Sequence, residues 1–135
     1  MDADRYVKIV RASALYDLIV TVAFVTPWTF MLVHWCLALL DTGLGLPGNV
    51  PDADPMSMLL GNLLGSVVVV WSLVRLHLNL PLLGRYDAAA RFLFAAWQIN
   101  AMASGFSIVI LPLTLAEIGF GLAQAVPIRP RKARL

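Results

Sequence analysis

LIVTVAFVTPWTFMLVHWCLALL, residues 18–40, runs for 23 positions without a charge between Asp17 and Asp41. A helix that crosses the hydrocarbon layer needs about 20 such residues, each rising about 1.5 Å, so this stretch alone points to lipid. The rest of the chain repeats the pattern. Asp54 and Arg75 bracket 20 uncharged residues, and between Arg91 and Arg129 lie 37 residues interrupted only by Glu117. That last run is too long for one crossing, so it is expected to turn at Ala103-Ser104-Gly105, where small residues permit a tight bend. With 60% hydrophobic residues, 13% charged residues and a mean hydropathy of +0.81, the composition lies far from the about 25% charged of a soluble domain.

The expected fold is therefore all-α: a polytopic membrane protein whose four transmembrane helices form an antiparallel bundle. The spans fall near 12–38, 56–78, 86–103 and 106–126, in a single domain over 1–126 followed by a basic tail, 127–135. All ten Lys and Arg residues lie in segments that these spans leave on one face. Arg5, Lys8 and Arg11 precede the first span; Arg75, Arg85 and Arg91 surround the second connection; Arg129, Arg131, Lys132 and Arg134 follow the last. The positive-inside rule then places both termini in the cytoplasm, with the bacterial inner membrane as the expected location. The first apolar stretch exceeds the about 7 to 15 residues of a signal-peptide core and is expected to be retained.

The connection Asp41 to Pro55 is rich in Gly, Pro, Asn and Asp and is expected to be an irregular outer loop. Its three acids lack the alternating ligands and closing Glu of a calcium loop. Pro27 removes a backbone hydrogen bond near the middle of the first span. A kink eased by Thr26 and Thr29 is expected there; the alternative ends the span, with Trp28 to Leu40 lying along the outer interface. The tail suits anionic lipid headgroups rather than nucleic acid. Cys36 is the only cysteine, so no internal disulfide can form, and it is expected to pack as a small apolar residue.

Polar groups inside the hydrocarbon are where any function should gather, because a charge at the bilayer centre costs about 2.5 to 3.5 kcal/mol on insertion scales. Glu117 sits near the middle of the fourth span, and Thr114, Gly121 and Gln124 share its helical stripe. It is a candidate site for a proton, cation or ligand, or a structural acid bonded to Gln98, Asn62 or another helix. A second polar layer is expected toward the cytoplasmic end, built from Asp17, Arg75, Arg85, Asp87 and Arg91. Asp87 and Arg91 are four apart and can pair along one helix, while Asp17 needs Arg75 or Arg91 from another. Gly61 and Gly65 form a GxxxG that allows close helix approach. No metal site is expected, since His34 and His77 fall on opposite faces and residues 34 and 36 diverge on a helix. Neither a nucleophilic triad, a phosphate-binding loop nor a dinucleotide fingerprint occurs, so no enzyme activity is expected and no cofactor can be assigned.

Arg75 at the end of the second span and Asp87-Ala88-Ala89-Ala90-Arg91 at the start of the third, within this layout of helix, outer loop and three helices, resemble the DoxX-like small bacterial membrane proteins. The resemblance covers most of the chain and implies a four-helix inner-membrane protein with a redox association. Three functions fit. The first is an accessory or assembly subunit of a larger membrane complex, with other membrane subunits or further copies as partners. The second is a homo-oligomeric transporter or channel for a proton, cation or small hydrophobic molecule that uses Glu117. The third is a lipid or hydrophobic-ligand binding module.

Overall fold

A computed structural model describes residues 1–128 and is all-helical, with no strand among them beyond a single bridge. Five α-helices follow one another: α1 (Ala3–Thr21), α2 (Pro27–Leu44), α3 (Pro55–Leu78), α4 (Pro81–Ala103) and α5 (Leu111–Ala125). Short 3-10 turns at Val22–Phe24 and Ile108–Ile110 end α1 and lead into α5. By length and composition α3 and the segment Ile108–Ala125 can cross a membrane, and the bent pair α1–α2 adds a third candidate if it forms one span. The charged tail residues Arg129, Arg131, Lys132 and Arg134 lie outside the described residues.

The single helix expected over 12–38 is replaced by two, set at 102° to each other. The cause is local. Thr26 has the extended backbone favoured before proline, and its hydroxyl accepts from the Thr29 amide as an N-cap, with Pro27 in the first turn of α2. At that position the missing proline N–H costs nothing, and its fixed φ suits a helix start. The carbonyl of Phe24, left free at the break, accepts from Asn62 Nδ2 at 2.7 Å. Of α2 only Phe30 is buried, while Trp28 and Trp35 are exposed. Cys36 is also exposed rather than packed.

α3 starts on a reciprocal capping box between Asp54 and Ser57, whose Ser57 amide holds the Asp54 carboxyl below its usual pKa. It ends at Asn79, in the left-handed region at φ 52°. α4 starts at Pro81, earlier than the expected 86, and turns at Ser104–Gly105 as the small residues predict. Pro112 sits in the first turn of α5, where a proline is tolerated.

α1 packs closely on α3, and α4 on α5, while α1 also touches α4 and α5 and so joins the two pairs. At one end the loop after α2 pairs with the α4–α5 turn: Asn49 N–H donates to Gly105 O and Ser107 N–H to Asn49 O. Gly48, at φ +93°, lies so near the Phe106 carbonyl that an added Cβ would stand 2.5 Å from its oxygen. The opposite end gathers the N-terminus, the end of α5 and the short Asn79–Leu80 connection. There Met1 N donates to Pro127 O at 3.0 Å and Arg11 to Asn79 Oδ1 at 2.9 Å.

Candidate functional site

The buried stripe of α1 comprises Tyr6, Val10, Ser13, Ala14 and Asp17, a helical spacing that carries two polar groups inward. Opposite it α3 presents Ser72 and Arg75, α4 presents Asp87 and Arg91, and α5 presents Thr114, Glu117, Gly121 and Gln124. Small side chains such as Ala14 and Ala88 permit the close approach. At Gly84 an added Cβ would stand 2.8 Å from the Tyr6 hydroxyl.

These stripes meet in one ionic cluster. Arg91 is 1% exposed and binds three carboxylates: Nε to Asp87 Oδ2 at 2.9 Å, Nη1 to Glu117 Oε2 at 2.8 Å, and Nη2 to Asp17 Oδ2 at 2.7 Å. Arg75 is fully buried. Its Nη2 pairs with Asp17, and its Nη1 lies 2.6 Å from Asp87 Oδ2. The Ser13 hydroxyl stands at the centre, donating to Asp87 Oδ2 at 2.8 Å and accepting from both arginines and from Gln124 Nε2. Trp71 Nε1 donates to Asp87 Oδ1 at 3.0 Å. Arg91 further lies over the rings of Phe120 and Tyr16, at 5.0 and 5.9 Å from their centroids. Removing one partner of such a buried pair costs about 3 to 5 kcal/mol.

The expected ionic layer is thus present for Asp17, Arg75, Asp87 and Arg91, with two corrections. Arg85 is not in it; its guanidinium donates to the carbonyls of Gln124, Ala125 and Val126 at 3.0, 2.7 and 2.9 Å, closing the free C-terminal carbonyls of α5. Glu117, expected to lie deeper than this layer and to bond Gln98, Asn62 or another helix, is joined to Arg91 of α4 at the layer's own level. The reason is depth. From Pro81, Arg91 lies about 15 Å along α4, and Glu117 lies about 12 Å from the end of α5, so their levels nearly coincide. Gln98 instead accepts from Thr114 at 2.7 Å, and Gln124 belongs to the cluster.

Gly61 and Gly65 form a packing face as expected, and their neighbour is this chain: an added Cβ would meet the Phe30 ring at 2.5 Å and Phe24 Cβ at 2.7 Å respectively. Ser13, Ser72 and Trp71 were not anticipated. Ser13 lies four before Asp17 and Ser72 three before Arg75, the spacing that shares a helix face. Among the described residues no group of three or more His, Cys, Asp or Glu side chains is placed so that it could hold a metal ion.

Beside the cluster lies a cavity of about 570 Å³. Asp17 and Glu117 form its polar end, and its walls are largely apolar, from Phe24 and Phe94 to Leu64 and Val68. Leu64 and Trp97, which also line it, are 55% and 66% exposed, so the chamber opens between α3 and α4. Compared with known proteins, the chain matches no protein family, no curated protein and no solved structure.

Proposed function

We propose that the chain is a multi-pass protein of the bacterial inner membrane that binds a hydrophobic ligand in the chamber between α3 and α4. α1, α3, α4 and α5 make the four crossings, α2 lies along the outer interface, and both termini face the cytoplasm. The chamber carries this reading: small-molecule sites occupy about 300 to 1,000 Å³ and combine apolar walls with a few placed polar groups, as this one does. Its opening faces the direction from which a lipid-dissolved molecule arrives. Asp87 and Arg91 of α4 find their charged partners within the chain. The role is binding rather than catalysis.

Native mass spectrometry of protein extracted in mild detergent tests the proposal. A small apolar molecule or lipid is expected to remain on the wild-type chain and to be lost from Ala101→Trp, which fills the chamber wall at a half-buried position. A wild-type chain that arrives empty, or an Ala101→Trp chain that keeps the molecule, overturns it.

A further inference from the structure

Resting on the chamber as a ligand site, we infer that its ligand is a lipophilic cation, an ammonium or phosphonium in kind, whose charge sits against Glu117. Three carboxylates, Asp17, Asp87 and Glu117, meet two guanidinium groups in the cluster, which leaves one formal negative charge over. Hydrogen bonding locates it. Asp87 receives Trp71 on Oδ1, and Arg75, Arg91, Ser13 and Gln124 on Oδ2. Asp17 receives Arg91 on both oxygens and Arg75 on one. Glu117 receives only Arg91, on Oε2. Its Oε1 accepts nothing among the described residues, yet it is not one of the enclosed atoms without a partner. It is therefore the accessible oxygen of a residue that lines the chamber and is itself only 8% exposed.

A carboxylate at the end of an apolar chamber is costly until its charge is met. Arg91 cannot meet it in full, because its guanidinium is divided among three acids, and being 1% exposed it presents no positive charge to the chamber. A cation entering from the lipid does so, and the aromatic residue Trp97 lines the same chamber. The competing occupant is a proton on Glu117, which would make the chamber indifferent to ligand charge.

Calorimetric titration of the full chain in dodecyl maltoside at pH 8, against blank micelles, separates these cases. Methyltriphenylphosphonium and triphenylphosphine oxide serve as probes of similar bulk, one charged and one neutral. The phosphonium is expected to bind about tenfold tighter or better. Glu117→Gln should remove that preference, and Glu117→Asp should keep it. Equal binding of the two probes to wild type overturns the inference and leaves the chamber as a neutral-ligand site. A preference that persists in Glu117→Gln overturns it too. If neither probe binds, the chamber reading fails, and the inference with it. The wild-type comparison decides even where Glu117→Gln does not fold.

Discussion

At the residue scale, Arg91 is the side chain on which most of the interior depends. Its planar fork presents donors in fixed directions, and three of its nitrogens each reach a carboxylate on a different helix: Asp17 of α1, Asp87 of α4 and Glu117 of α5. An ammonium has one charge centre and cannot serve three acids spread in this way. Arg91→Leu strands Glu117 altogether and leaves Asp17 and Asp87 to Arg75 alone. The expected loss is about 3 to 5 kcal/mol, read as a lower SDS fraction at the unfolding midpoint in mixed micelles; Arg91→Lys should fall between the two. An Arg91→Leu midpoint equal to wild type would sink the idea that this side chain ties the helices together. Part of this was legible in the sequence. The Asp87–Arg91 pair lies four residues apart on one helix, and the need of Asp17 for an arginine from another follows from its isolation. The place of Glu117 was not, because it depends on where α4 starts, and a shift of five residues moves a side chain by about 7 Å. Nor was the exclusion of Arg85, which resembles its neighbour Asp87 in depth but points about 200° away from it around the helix.

At the element scale, the break between α1 and α2 shows how a local preference overrules an apolar run. Hydropathy over residues 18–40 is continuous, and nothing in it marks an end. Thr26-Pro27 does: a capping hydroxyl followed by a proline is a helix start as much as a kink. The kink would leave a carbonyl unsatisfied in the helix interior, whereas the break has its free carbonyl at Phe24 met by Asn62. That choice requires α3 to come close, and Gly65 is what allows it. An added Cβ there would stand 2.7 Å from Phe24 Cβ and 2.9 Å from the Phe24 carbonyl carbon, so backbone must move. Gly65→Ala is expected to destabilise by about 1 to 3 kcal/mol, the range for overpacking. Gly43→Ala, with nothing within 4 Å of the added atom, should stay near wild type. Equal melting temperatures for the two variants would remove the steric account of the GxxxG. The GxxxG was legible as a packing face; that its neighbour is the turn at Phe24 was not, since spacing alone does not say which element arrives.

At the scale of the whole molecule, two ends of different chemistry face apart. One is built from the acidic loop and the α4–α5 turn, tied by the Asn49–Phe106 bridge and by the Ser107 hydroxyl bonded to Asp41. The other holds the chain's N-terminus, the Asn79 connection and the end of α5, tied by Met1 to Pro127 and by Tyr6 Oη to the Gln124 carbonyl at 2.7 Å. No basic residue lies in the first end, and the positive-inside rule turns that asymmetry into an orientation. The rule weighs short flanking segments most, and Arg5, Lys8 and Arg11 all fall in the N-terminal half of α1, so the N-terminal end should face the cytoplasm. Cysteine labelling checks this directly in a Cys36→Ser background, since Cys36 is the only native thiol. Asp52 and Lys8 are exposed and lie toward opposite ends. In intact cells opened only at the outer membrane, Asp52→Cys should react with a membrane-impermeant maleimide. Lys8→Cys should react only after the inner membrane is permeabilised. The reverse pattern would invert the protein in its membrane. Labelling of both positions from outside would place residues 8 and 52 on one side of the bilayer and would remove α1 as a crossing.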